Sequence, residues 1–221
     1  IAISSLIRNG FIGENECIYH KTYKVKAGEL IKISIEPEID IYKKYYWKYG
    51  CNSQVKTFST AESVEKVYNC LSDAIKLQLQ ADVKTGVFLS GGIDSTIVAA
   101  LAQKNSIQNI KTFSIGFNEE TFDESKTALE TASLLGTDHR SFILNGEKAS
   151  EMFDRLPFAW DEPFADSSQI PTLYLSKQAS NDIRVALTGD GADELFCGYQ
   201  RYKYHNNLSS FKGKSILKIA S

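Results

Sequence analysis

Excess charge of either sign is missing from this sequence: 25 Lys and Arg stand against 27 Asp and Glu, a net charge of −2. A general nucleic-acid surface needs a basic excess, so the balance argues against a nucleic-acid partner. A small anion is not excluded, because backbone amides can hold one without basic side chains. Long apolar runs are missing too. None approaches the ~20 residues of a membrane helix, so no membrane partner is expected. The four cysteines, Cys17, Cys51, Cys70 and Cys197, lack paired spacing. Free thiols in a reducing, cytoplasmic compartment are expected rather than a disulfide framework. His20, His139 and His205 share no metal-ligand spacing. Ile1-Ala2-Ile3-Ser4 carries neither an initiator Met nor a signal pattern. Lys214-Ser215-Ile216-Leu217 stops inside an amphipathic segment without a cap. A piece of something longer is expected.

What is there falls into two regions. With 221 residues, one substantial core plus a smaller subdomain can be buried. From about 18 to 47 the pattern is strand-like, with Ile31, Ile33 and Ile35 alternating with Lys32, Ser34 and Glu36. Tyr42 to Tyr49 reads as a packed strand edge. A polar, Gly-containing break follows at 49–53, so residues 1–52 and 53–221 are expected to be separate domains. From Thr60 the period becomes helical, with Val64, Val67, Leu71, Ala74 and Ile75 on one face and no full capping box.

Beyond Asp82, strands and helices alternate. Strands are expected at 87–89, 110–117, 140–144 and 183–187, and helices at 96–103, 123–135 and 168–179. Such alternation predicts an α/β fold, a parallel sheet with helices on both faces. Ligands of these sheets bind beyond the carboxyl ends of the strands.

Two loops occupy such ends. Ser90-Gly91-Gly92-Ile93-Asp94-Ser95-Thr96 joins a strand to a helix. Its glycines let backbone N–H groups approach a bulky anion, the helix N-terminus adds its dipole, and Ser90, Ser95 and Thr96 add hydroxyls. It lacks the Gly-Lys-Ser/Thr ending of a Walker A loop. Asp94 would repel a phosphate unless a divalent cation, Mg²⁺ by preference, lay between them. The structural alternative is a plain turn with Asp94 as a helix cap. The second loop, Thr188-Gly189-Asp190-Gly191-Ala192-Asp193-Glu194, sets three carboxylates within five residues. They would repel one another without a cationic neighbour, although Gly-Asp-Gly is also common turn chemistry.

The first loop resembles the pyrophosphate loop of the N-type ATP pyrophosphatases, and the second resembles the acidic motif of glutamine-hydrolysing asparagine synthetases. Gly198-Tyr199 resembles that family's G-G-Y tail, with Cys197 replacing a glycine; Asp161-Glu162-Pro163-Phe164 resembles its aspartate loop, and 112–117 its adenine strand. Residues 18–47 look like the last strands of its N-terminal-nucleophile glutaminase domain. The resemblance implies an adenine nucleotide α-hydrolase-like fold preceded by a β-rich glutaminase remnant. It implies that Ser90, Gly91, Gly92, Ser95 and Thr96 hold pyrophosphate and that Asp94 and Asp193 bind Mg²⁺. Leu89, Ile115, Thr188 and Gly189 would surround adenosine, with Asp190 and Glu194 in catalytic positions beside the intermediate and the acyl substrate. Implied substrates are ATP, aspartate and ammonia from glutamine, and the full-length protein could form a homodimer. The family's N-terminal Cys nucleophile has no counterpart at Ile1, and Cys17 reads as an ordinary residue. Its later lysine is expected downstream, with Lys212, Lys214 and Lys218 a solvated face. Glutamine-dependent synthesis is therefore not expected of these residues. A relative amidating another acid, a ring-closing ligase or a non-catalytic nucleotide sensor remain alternatives.

Overall fold

A computed structural model describes residues 1–48, 50, 57–119, 123–200 and 202. In chain order the elements begin α1 (Ala2–Asn9), β1 (Glu29–Ser34), β2 (Asp40–Tyr45), α2 (Thr60–Gln78), β3 (Thr85–Phe88), α3 (Ile93–Lys104) and β4 (Lys111–Phe117). They continue α4 (Ser125–Leu135), β5 (Asp138–Leu144), α5 (Gly146–Phe153), α6 (Leu156–Ala159), α7 (Gln169–Ala179), β6 (Val185–Leu187) and α8 (Ala192–Phe196). Two compact units result: Ile1–Val64 with Gly146–Tyr174, and Glu65–Asn145 with the described residues from Leu175 onward. The expected boundary at 52/53 lies outside the described residues.

The second unit contains the sheet, ordered β5-β4-β3-β6 with every pairing parallel. Val87 and Phe88 are consecutive on β3, so their side chains leave opposite faces. Val87 and Leu89 pack with Leu187, with Leu71 and Ile75 of α2, and with alanines of α3 and α4. Phe88 packs on the other side with Phe113, Ile183 and with Leu175 and Ala179 of α7. Helices therefore cover both faces, as the strand–helix alternation predicts. Phe113 is fully buried and stacks on Phe142; enclosing one such ring stabilises by roughly 1.5–3 kcal/mol.

Strand order is what places a site. The chain starts the sheet at β3, steps outward to β4 and β5, then returns to the other side of β3 as β6. The loops after β3 and β6 consequently diverge and open a crevice at the shared carboxyl end.

Each expected strand and helix of this unit is present within a few residues. The start of α2 differs. Its capping box is formed by Ser59, whose hydroxyl accepts from the Glu62 N–H (3.3 Å) while the Glu62 carboxylate accepts from the Ser59 N–H (2.9 Å). Its buried face is also shorter than the periodicity predicts. Leu71 and Ile75 join the core, whereas Val64 and Val67 are exposed. Four short helices, α1, α5, α6 and α8, had no sequence signal strong enough to place them.

The first unit holds an antiparallel hairpin, β1 with β2, in the register Ile31↔Lys43 and Ile33↔Ile41. It occupies much less of 18–47 than the strand-like pattern suggested. Ile33 and Ile35 are exposed, as are Tyr42 and Tyr46, so among the described residues the expected packed edge is not formed. Firmer anchoring comes from Glu162. Its carboxylate accepts from the Ile18 N–H (2.8 Å) and pairs with Lys24 (2.5 Å). Lys24 also donates to the carbonyls of Ile12 and Gly13.

His139, which shares no metal-ligand spacing with the other histidines, belongs to a hydroxyl chain between β4 and β5. Its Nδ1 lies 2.9 Å from Thr112 Oγ1 and its Nε2 3.1 Å from Ser114 Oγ. Thr112 meets Thr137 (2.8 Å), and Ser114 donates to Ser141 (3.0 Å). Since Ser114 gives its proton to Ser141, it accepts from Nε2–H; with the ring neutral, Nδ1 accepts from Thr112. Burial disfavours the ring's charged form and holds its pKa below the ordinary 6.5. The unfolded chain takes up the proton first on acidification, so the histidine's contribution is complete above pH ~6.5 and declines as pH falls below that value. His139→Gln, which cannot titrate, should flatten this part of the stability profile. Denaturant midpoints at pH 7.5 and pH 5 measure it; equal pH sensitivity in both proteins would contradict the assignment.

Candidate functional site

The loop after β3 is closed by its own serines. Ser95 is buried on the first turn of α3, and its hydroxyl accepts from the Ser90 N–H (3.1 Å) and lies within 3.3 Å of the carbonyls of Ser90 and Gly92. Ser90 Oγ sits 2.9 Å from Ser95 Oγ and accepts from the Gly92 N–H (3.1 Å). The Thr96 hydroxyl donates to the Gly92 carbonyl (2.8 Å). Gly91 gives its N–H to Glu124 at the start of α4 (3.1 Å). The amides of 90, 91 and 92 are thus committed within the protein. The N-cap, Gly92, offers no side-chain cap, so the first-turn amides of Ile93, Asp94 and Ser95 have no intrahelical acceptor. With the helix dipole behind them they form the anion-seeking part of the loop.

The loop after β6 reaches this same turn. At Gly189 an added Cβ would lie 2.8 Å from the Ser95 nitrogen and 3.0 Å from both the carbonyl carbon and the Cβ of Asp94. Backbone meets backbone there, and only glycine permits it. Asp94, Thr188, Gly189 and Asp190 are accordingly brought together at the crevice. Asp190 accepts from the Thr188 hydroxyl (3.0 Å).

Residues 192–196 are helical rather than loop, with Gly191 in the left-handed region (φ 89°) at the N-cap. Asp193 and Glu194 therefore occupy the first turn of α8. Any side chain on Gly198 would overlap the Asp193 carboxylate as it stands and would oblige that carboxylate to turn away. Tyr199 donates its hydroxyl to Glu194 (2.7 Å). Asp190 and Glu194 thus each accept from a local hydroxyl, a compensation that the bare sequence does not reveal. Leu89 is buried in the core, and Ile115 is half-buried on β4.

Two contributors fall outside the recognised loops. Glu124 had no sequence signal beyond its place at the start of the helix expected at 123–135; in the structure it is the N-cap of α4. Tyr199 was visible only as part of a tail motif. Lys212, Lys214 and Lys218, expected as a solvated face, lie outside the described residues, as do His205 and Cys51. Cys17, Cys70 and Cys197 are free thiols. Cys197 adopts a left-handed conformation (φ 58°), in keeping with the glycine it replaces. Among the described residues no cluster of three His, Cys, Asp or Glu side chains forms a metal site, and no helix is long and apolar enough to cross a membrane.

A doubly wound α/β domain with two glycine-bearing loops meeting at its switch point is the class this geometry defines. A family model described as asparagine synthase matches residues 66–216, and the chain belongs to that family. Glutamine-hydrolysing asparagine synthetase 1 of Bacillus subtilis is 34% identical over 204 residues, 91% of this chain and 31% of that protein. A relative from Methanocaldococcus jannaschii, provisionally given the same name, is 32% identical over 194 residues, 87% of this chain and 37% of its own length. The chain thus spans about a third of these relatives, between 31% and 37%. Glutamine-dependent NAD+ synthetase from Acinetobacter baumannii, solved with ADP, superposes with a TM-score of 0.46 at 20% identity, covering 73% of this chain and 32% of that one. A superposition of this quality supports no functional conclusion.

Gly189→Ala should force the two loops apart and destabilise the chain by about 1–3 kcal/mol, the usual cost of overpacking. Gly146→Ala, at a site with nothing within 4 Å of the added carbon, should change stability by less than about 0.5 kcal/mol. Thermal unfolding of the pair tests the contact, which is wrong if the two variants melt alike.

Proposed function

We propose that this chain is the nucleotide-binding part of an enzyme that amidates aspartate to asparagine at the expense of ATP. In the proposed reaction the aspartate side-chain carboxylate attacks the α-phosphorus, giving β-aspartyl-AMP and pyrophosphate. Ammonia derived from glutamine then attacks the acyl carbonyl, and AMP departs. The observation that carries the reading is the contact of Gly189 with the α3 turn at Asp94 and Ser95, which gives both loops one ligand.

In this reading the amides of Ile93, Asp94 and Ser95 face the phosphates, with Ser90 and Thr96 at the edge of the cradle. Ser95 acts through the loop, because its hydroxyl already closes it. Thr188, Gly189 and Ile115 lie where adenosine would rest, and Leu89 contributes backbone only, its side chain being buried. Asp190 and Glu194 face the acyl group, the latter oriented by Tyr199.

Asp94 and Asp193 suit Mg²⁺, which typically takes one or two carboxylates and completes its shell with phosphate oxygens and water. When bound, the ion would supply neutralisation of the charge gathering on departing pyrophosphate. The chain's own contribution is orientation: fixed amides for the leaving group and a fixed approach for a carboxylate that would otherwise be repelled by phosphate.

Calorimetric titration of the chain with ATP, with and without Mg²⁺, tests this. Binding should require the metal and should weaken about 10-fold or more in Asp94→Asn, the loss of one charge-assisted contact. Metal-independent binding that survives Asp94→Asn would point instead to a nucleotide-sensing module that has shed the chemistry.

A further inference from the structure

The anion loop has a support that comes from outside both of its motifs. Glu124 stands 33 positions along the chain from Gly91, at the N-cap of α4, and makes no side-chain cap to its own helix. Its carboxylate instead accepts the Gly91 N–H at 3.1 Å. Its location is itself fixed: Asp123 accepts from the Ser125 N–H (3.0 Å), forming the turn that begins α4. At Gly116 on β4, an added Cβ would lie 2.9 Å from Ser125 Oγ and 3.0 Å from Asp123 Oδ1, so this turn is seated directly on the sheet.

Gly91 also faces α4 with its carbon skeleton. A Cβ there would lie 3.1 Å from Thr127 Cβ and 3.5 Å from Glu124 Cβ. Both the N–H and the side-chain direction of Gly91 therefore point toward the first turn of α4, whereas the uncapped amides belong to 93–95 on α3. A carboxylate within an anion cradle would compete with its ligand. One that grips the outer side of the loop does something else: it removes the freedom of the Gly91-Gly92 pair, the most mobile dipeptide of the loop, before any ligand arrives.

We propose that Glu124 is a positioning residue of the pyrophosphate loop, holding the Gly91 amide so that the first-turn amides of α3 are pre-set for phosphate. The pyrophosphate part of this inference rests on the nucleotide reading above; the hold on Gly91 does not. Reach and acceptor oxygen are what matter, and the negative charge is incidental.

Three variants separate these attributes. Glu124→Gln keeps reach and an acceptor without charge, Glu124→Asp keeps charge without reach, and Glu124→Ala keeps neither. In the ligand-free chain, amide hydrogen exchange at Gly91 should accelerate about 10-fold in the Ala and Asp variants, as expected when one hydrogen bond is lost. In Gln it should stay within about threefold of the parent. Titration with inorganic pyrophosphate and Mg²⁺ should show the same order, with the dissociation constant raised about 10-fold in Ala and Asp and little changed in Gln. Unaltered Gly91 exchange in Ala, tighter pyrophosphate binding in Ala, or a Gln variant as impaired as Ala would each overturn the proposal. A parent chain that binds no pyrophosphate, yet shows the expected exchange pattern, would sink the nucleotide reading while upholding Glu124's grip on the loop.

Discussion

Everything at the candidate site depends on β6 pairing with β3 rather than continuing outward beyond β5. Both strands present their carboxyl ends side by side, Thr85 opposite Val185 and Val87 opposite Leu187. Had the last strand been added next to β5, the acidic segment would stand two strands further from the serine-glycine loop. The return crossing is made possible by α7, whose Leu175 and Ala179 fill the face of the sheet that α3 and α4 leave bare. Buried apolar side chains thus fix the strand order, and the strand order fixes which loops meet.

Within that frame the contact at Gly189 shows how little tolerance the site has. Gly189 approaches the backbone of Asp94 and Ser95 so closely that a side chain on it would have no room. Serine hydroxyls then take up the amides that the tight turn leaves over: Ser95 for Ser90, Ser90 for Gly92. Glu124 takes the one that no serine reaches. Each support is worth on the order of 1 kcal/mol. Together they convert a double glycine, the most flexible dipeptide available, into a fixed element.

Much of this was legible in the residues. Val87-Phe88-Leu89 is a continuous apolar run, and 110–117 carries Ile110, Phe113, Ile115 and Phe117 with Thr112 and Ser114 buried among them, because parallel strands are covered on both faces; both lie where they were expected. Asp94 stood out because its charge contradicts the loop that holds it. Long-range partnerships were not legible. Nothing in the spacing of Glu124 links it to Gly91, and nothing around His139 announces Thr112 and Ser114, since the first pair exists only once β3 lies beside β4 and the second only once β4 and β5 align in register. The exposed hairpin misled for a related reason. Alternation of Ile31, Ile33 and Ile35 signals a surface suited to burial, and a two-stranded ribbon leaves both of its faces open until something else covers them. Ser59 escaped notice as a cap because Thr60 is an equally good hydroxyl residue one position later, and only the Glu62 side chain chooses between them.

Charge gives the last constraint. Across 90–96 and 188–196 there is not one Lys, Arg or His, while Asp94, Asp190, Asp193 and Glu194 are all present. Local donors such as Tyr199 and Thr188 moderate the repulsion among these carboxylates without reversing its sign. A polyphosphate entering beside them gains from oriented amides and the α3 dipole, worth typically 0.3–1 kcal/mol for an exposed helix end. Two like charges 4 Å apart cost about 4 kcal/mol near a protein surface. The dipole alone is the smaller of the two, so these loops need added positive charge to hold a polyphosphate. Under the proposed function Asp94 and Asp193 would supply carboxylates to a divalent ion, and that added positive charge is why the proposal expects nucleotide binding to depend on the metal.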